Sequence, residues 1–150
     1  MSVTYLSRSV RFSAAHRYFR PEWSDDRNRE VFGACSNPHG HGHNYRLEVM
    51  VAGEPALLTG FSVDLAELDR ALRDEVVHPL DHQHLNHAVP EFAPGGLIPT
   101  TENLLILLWR RLAPRIRDAR LIRLRLYEDV DLFVDYYGPD ESQPVRGWRV

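Results

Sequence analysis

Lysine is absent from the 150 residues, and all 18 basic side chains are arginine. Arginine offers a planar fork of donors that suits phosphate oxygens, although biased codon usage gives the same composition. Cysteine occurs once, at Cys35, which excludes an intramolecular disulfide. A reducing compartment, the cytoplasm, is the simple expectation. No apolar run approaches the ~20 residues of a membrane span; the densest stretch, Leu104 to Trp109, is far too short. Met1 to Arg11 lacks the apolar centre of a secretory signal. Excess positive charge is also missing. The net charge is -3, which argues against a nucleic-acid-binding domain.

What remains is enough for a core. Hydrophobic residues make up 43% and charged residues 26%, which excludes disorder and makes a disulfide framework unnecessary. The length fits one domain over residues 1–150.

Tyr5 to Tyr18 reads as a strand, with Leu6, Val10, Phe12, Ala14 and His16 on one face and Arg8 as the exception. Arg20 to Gly33 is polar and reads as a long functional loop. His43 to Val51 is the clearest strand, because His43, Tyr45, Leu47, Val49 and Val51 alternate with polar or bulky partners. Phe61 to Val77 carries Leu65, Leu68, Leu72 and Val76 at helical spacing. Asp64 and Glu67 resemble a capping box, and Pro79 should end the helix. Ala88 to Pro99 reads as a loop. A second helix starts at Thr100 or Thr101 and runs to about Pro114. Strands over Leu121 to Glu128 and Leu132 to Tyr137 follow as a hairpin. The tail from Gly138 to Val150 is polar apart from Val145, Trp148 and Val150. The order implies an α+β fold, an antiparallel four-stranded sheet with two helices on one face.

His41-Gly42-His43 stands at the start of the second strand. Residues i and i+2 of a strand share a face, so both imidazoles can converge on one ion. His16, at the end of the first strand, is the natural third ligand. Three neutral ligands leave a zinc ion its double charge and an open position, the catalytic arrangement. A surface His-x-His pair is the plainer alternative, and His39 is a nearby surface candidate.

Cys35 lies six residues before His41. It is either an inert buried thiol or, beside a dication, a thiolate base; a Cys/His zinc site is a further alternative. Asp81-His82 offers a proton carrier and its orienting carboxylate, provided that the backbone is irregular there. A surface histidine after a helix is the alternative. Glu128 continues the apolar face of Ile122, Leu124 and Leu126, where a carboxylate needs a partner such as a guanidine-like heterocycle edge, unless the strand end simply reaches water. Glu102 sits in a first helical turn, which the helix dipole favours by itself.

Together these residues resemble the 6-pyruvoyltetrahydropterin synthases and the related 6-carboxytetrahydropterin synthases of the queuosine pathway. The resemblance rests on Phe12 to Arg17, Cys35 to Tyr45, Leu80 to Asn86, Pro99 to Asn103 and Tyr127-Glu128, in family order. It implies the tunnelling fold, whose sheets close a barrel in trimers that pair into hexamers. It implies zinc at His16, His41 and His43. It implies a proton-transfer set of Cys35, Asp81 and His82, the last two supplied by a neighbouring subunit. Glu128 would anchor the pterin ring, with Thr100, Thr101 and Glu102 nearby. The implied substrate is 7,8-dihydroneopterin triphosphate, with Mg2+ accompanying its phosphates. The implied reaction is that of a carbon–oxygen lyase releasing triphosphate. Five residues separate Cys35 from His41, whereas queuosine-pathway members keep three, so the spacing favours the pyruvoyl product. A 6-carboxytetrahydropterin synthase, a non-catalytic pterin- or metal-binding module and a zinc hydrolase are the competing readings. His39 and the arginines Arg20, Arg27 and Arg29 depart from the pattern; the arginines offer charge to a triphosphate without a motif behind them.

Overall fold

The alternation through His43 to Val51 becomes the central strand of the computed structural model, which describes residues 2–139. Strand β1 (Thr4–His16) and strand β2 (His41–Gly53) pair antiparallel along their full length, from Thr4 opposite Gly53 to His16 opposite His41. Strand β4 (Arg120–Asp129) pairs with β2, and β5 (Leu132–Tyr136) with β4, both antiparallel. The period of two puts Tyr45, Leu47, Val49 and Val51 of β2 wholly inside, with Leu124 and Leu126 of β4. Burying each such side chain is worth ~1.5–3 kcal/mol.

The sheet has five strands where the sequence predicts four. The additional one, β3, is only Gln83–His84 and runs parallel to β1 at Ala14 and Ala15. It has no pattern of its own. It pairs because the preceding residues are pinned to Ser13, which hydrogen-bonds to both Asp81 and His82.

Pro79 does not stop the first predicted helix. Helix α2 (Leu65–Leu72) passes into a π-helical turn, Arg73–Val77, and on into a short α3 (His78–Leu80). In a regular helix the Pro79 ring would meet the carbonyl four residues back. The wider turn relieves this: the His78 N–H reaches the Arg73 carbonyl five residues back. The chain leaves helical geometry at Asp81.

The loop expected over Arg20 to Gly33 contains a helix, α1 (Asp25–Phe32). Ser24 caps it by accepting from the Arg27 N–H, and Gly33 closes it at φ 58°. Asn28, its one buried residue, ties the helix back to the backbone of Arg20 and Ser24. The loop after Ala88 holds a 3-10 turn, Pro90–Phe92, preceded by the short α4 (Leu85–Ala88). Helix α5 (Thr101–Leu112) starts as expected, with the Thr100 hydroxyl accepting from the Asn103 N–H. Its Leu104, Leu105, Leu108 and Leu112 join α2 and the sheet in one apolar core. Residues 140–150, most of the polar tail, lie outside the described residues.

Candidate metal and substrate site

Strand register assembles the site. His16 stands opposite His41, and His43 stands opposite Ala14. All three imidazoles therefore leave the core face of the sheet at the same end. Their ligand atoms lie within 4.8 Å of one another. The Nε2 atoms of His16 and His41 are 3.1 Å apart. His43 Nε2 is buried and lacks a hydrogen-bond partner, an atom that an ion in this cluster would satisfy. His16 is fully buried, and burial, then His43 and His41, push its pKa down to about 3. A neutral imidazole is what coordination requires. The donor set fits one dication. His39 is exposed and stands outside the cluster.

The neighbours of His16 were not singled out by the sequence reading. The Tyr45 hydroxyl hydrogen-bonds to His16 Nδ1 at 2.9 Å. Tyr18 packs its ring 4.5 Å from that of His16. Asn86, buried, exchanges hydrogen bonds with the backbone of Arg17 at 2.8 and 3.0 Å. This fixes the chain just beyond His16. The only sequence signal for Asn86 was its place beside the Asp81-His82 segment.

Glu128 lies where its periodicity put it, on the core face beyond Leu126. A register shift between Tyr127 and Asp129 leaves it out of the β4–β5 ladder. Its Oε2 accepts from the Thr101 hydroxyl, and its Oε1 lies 3.5 Å from His43 Nε2. Thr101 is buried, whereas Thr100 serves the helix cap. Glu102 stands in the first turn of α5.

Cys35 sits in a 3-10 turn, Gly33–Ser36. Its carbonyl accepts from the Tyr18 N–H at 2.8 Å, and the next carbonyl, of Ser36, accepts from Arg17 Nε at 3.0 Å. These bonds tie the thiol's turn to the residues directly after His16. Burial, then the Glu128 carboxylate, raise the Cys35 thiol pKa. The chain's own groups thus oppose the thiolate that the sequence reading assigns to it.

Asp81 and His82 do not join the three-histidine cluster within one chain. His82 is left-handed at φ 59°, with its side chain 83% exposed. It lines a cleft with Ser13, Ala15, Gly42 and Asn44, and His43 and His84 border the same cleft. The pair itself is formed: Asp81 Oδ2 lies 3.0 Å from His82 Nδ1. The Ser13 N–H, then His82, hold the Asp81 carboxyl below its usual pKa. Of the loop arginines, Arg20 bonds the Gly96 carbonyl and Arg27 pairs with Glu30.

Known proteins share both the sequence and the fold. The family model described as 6-pyruvoyl tetrahydropterin synthase matches residues 5–139. The chain belongs to this family. It is 40% identical over 133 residues to a 6-pyruvoyl tetrahydrobiopterin synthase of Pongo abelii, covering 89% of this chain and 90% of that protein. A protein of the same name from Poecilia reticulata is 38% identical over 136 residues, covering 91% of each. The solved structure of 6-pyruvoyl tetrahydropterin synthase from Caenorhabditis elegans superposes with a TM-score of 0.85 at 31% identity, covering 93% of this chain and 98% of that one. Among the described residues, no helix is long and apolar enough to cross a membrane.

Proposed function

We propose that this protein is a carbon–oxygen lyase that converts 7,8-dihydroneopterin triphosphate to 6-pyruvoyltetrahydropterin and triphosphate, in the cytoplasm, with one zinc ion per chain. The observation that carries the reading is the 3.5 Å separation of Glu128 from His43. A carboxylate suited to anchor the heterocycle thus stands beside the metal centre, so that one bound molecule can reach both.

The zinc ion, held by His16, His41 and His43, would act as a Lewis acid that acidifies the side-chain hydroxyls of the substrate. Glu128 accepts hydrogen bonds from the guanidine-like edge of the pterin, and Thr101 fixes the direction of that carboxylate. Thr100 and Glu102 border the ring at the start of α5. Cys35 takes protons from the side-chain carbons. A dication held at the three neutral histidines would supply the positive charge that offsets the burial and the Glu128 charge raising its pKa. Asp81 and His82 hold and return protons, supplied by an adjacent subunit; the exposure of His82 and the place of both residues outside the three-histidine cluster support this.

The balance closes without an outside oxidant. The C–O bond to triphosphate breaks as a proton leaves the neighbouring carbon. The two side-chain hydroxyls end as ketones, and the ring takes up the hydrogen across its C=N bond. Mg2+ accompanies the triphosphate.

A homo-oligomer, a hexamer of two trimers, suits the sheet. Its edges are β5 on one side and, on the other, the part of β1 that β3 leaves unpaired. Edge pairing into a barrel removes both. The connector between Cys35 and His41 holds a second turn, closed by the Gly40 N–H on the Asn37 carbonyl at 2.8 Å. A shorter connector has no room for it, which supports the pyruvoyl product. Incubating the purified protein with substrate, zinc and magnesium should yield triphosphate and the pyruvoyl compound without acetaldehyde. Acetaldehyde with 6-carboxytetrahydropterin would reassign the product, and no turnover would leave a binding module.

A further inference from the structure

Tyr45 is buried without exposure, on the same strand face as His43 and Leu47. Its ring stacks on Phe12 at a centroid distance of 5.0 Å and an interplanar angle of 12°. That stack leaves the hydroxyl little freedom, and the hydroxyl meets His16 Nδ1 at 2.9 Å. His16 itself is fully buried. In so buried a position, the tautomer of the imidazole follows from the partners of its two nitrogens.

We propose that Tyr45 is the positioning residue of the metal centre: its hydroxyl oxygen accepts the Nδ1–H of His16 and thereby aims the Nε2 lone pair of His16 at the ion. The proposal rests on the reading of His16 as a ligand. Three observations support it. With the proton on Nδ1, the His16 Nε2 lone pair faces His41 Nε2 at 3.1 Å. With His41 also protonated on Nδ1, two lone pairs face each other and repel, and a cation between them turns the contact into an attraction. Secondly, the buried His43 Nε2 has no hydrogen-bond partner, so it too is free to take the ion. Thirdly, Tyr45 reaches His16 across the β1–β2 pairing, so both residues are fixed by the same strand register.

The chemistry of the partner matters as well as its position. A carboxylate in this role would add negative charge to the centre. A neutral hydroxyl orients the imidazole and leaves the ion its full double charge, which is what acidifying an alcohol demands.

The test measures zinc dissociation constants by competition with a chromophoric chelator, in the intact oligomer. Tyr45→Phe keeps the ring and its stack and deletes only the acceptor. It should weaken zinc by about 10- to 100-fold and alter the visible d–d absorption of the cobalt-substituted protein. His16→Ala is measured alongside. If it binds zinc like the parent protein, the ligand assignment fails, and Tyr45 with it. If His16→Ala loses zinc while Tyr45→Phe keeps both parental affinity and cobalt spectrum, the Tyr45 proposal alone is overturned. Leu47→Val loosens the same strand face without touching a ligand. It should leave zinc affinity unchanged, and an equal loss there would mean that core packing, not the hydroxyl, governs the metal. Should Tyr45→Phe fail to fold, a ring-fluorinated tyrosine at position 45 keeps the shape and weakens the oxygen as an acceptor. It should weaken zinc in the same direction, and parental affinity in that protein would overturn the proposal.

Discussion

The backbone N–H of Ser13 donates to Asp81 Oδ1 at 2.8 Å, while the other oxygen of the same carboxylate holds His82 Nδ1 at 3.0 Å. One side chain thus anchors β3 to β1 and orients the exposed imidazole. Asp81→Asn can still accept from Ser13 but cannot stabilise a charged His82. We expect kcat to fall by roughly 100-fold with little change in Tm, whereas Asp81→Ala should lower both. Because the Asp81 carboxyl is depressed, its contribution to stability is present above the ordinary carboxylate pKa and is lost as pH falls through the depressed value. Thermal melts of both variants across the acid range check this, and parental kcat in Asp81→Asn would remove the orienting role.

Acid should destabilise the metal-free protein through His16. Its folded pKa, about 3, lies below the ~6.5 of an unfolded histidine. Between those values the unfolded chain binds a proton that the folded chain refuses, so stability rises with pH there. It falls on acidification by up to about 1.4 kcal/mol per pH unit for this one group. His16→Ala, also metal-free, should have a shallower slope over the same window. Equal slopes in urea titrations at several pH values would contradict the assignment.

Glu128→Gln retains the size of the side chain and the reach to Thr101. It removes the charge proposed to accept the pterin edge. The loss of charged hydrogen bonding is worth about 1.5–3 kcal/mol, so kcat/KM should drop by roughly 10- to 150-fold, with zinc content unchanged. Metal analysis and steady-state kinetics separate the two effects. A loss of zinc in this variant would make Glu128 part of the metal site instead.

His82 is exposed and Cys35 half-buried, and the cleft that His82 lines does not include Cys35. If they meet across a subunit boundary, two inactive variants can complement each other. Refolding Cys35→Ala together with His82→Ala should give mixed oligomers with some intact sites and measurable turnover. Mixed oligomers that stay inactive would require each site to be built from a single chain.

How much of this was legible depends on how strongly burial shapes the sequence. The β2 strand, the leucines of α5 and the position of Glu128 are all written in periodicity, because one face of each element meets the core. The three histidines were readable because strand geometry dictates that His41 and His43 share a face. Helix α1 was missed because it buries little beyond Asn28 and carries no apolar stripe, although Ser24, Asp25 and Gly33 mark its ends. The two-residue β3 has no period at all. Pro79 misled because a π-helical turn upstream removes the clash that normally ends a helix. Tyr45 was visible as a core residue, but its bond to His16 depends on register across two strands.

Gly40 is the last test of how closely backbone and metal centre are coupled. It has φ +71°, and a Cβ there would stand 2.5 Å from the His16 carbonyl oxygen and 3.0 Å from His84 Nε2. Gly60 has a similar φ of +74° with open space around it. Alanine at either position incurs the left-handed backbone strain, ~1–2 kcal/mol. Only at position 40 does the new methyl group also push on His16, the proposed metal ligand. Gly60→Ala should therefore lower Tm modestly and keep parental zinc affinity. Gly40→Ala should lower Tm further and displace the end of β1, weakening zinc at least about tenfold, as ligand misplacement does. Calorimetry and chelator competition on the two variants give the comparison directly. Parental zinc affinity in Gly40→Ala would show that the His16 imidazole holds its place when its own backbone is moved, and the centre would then owe its geometry to side-chain contacts rather than to strand register.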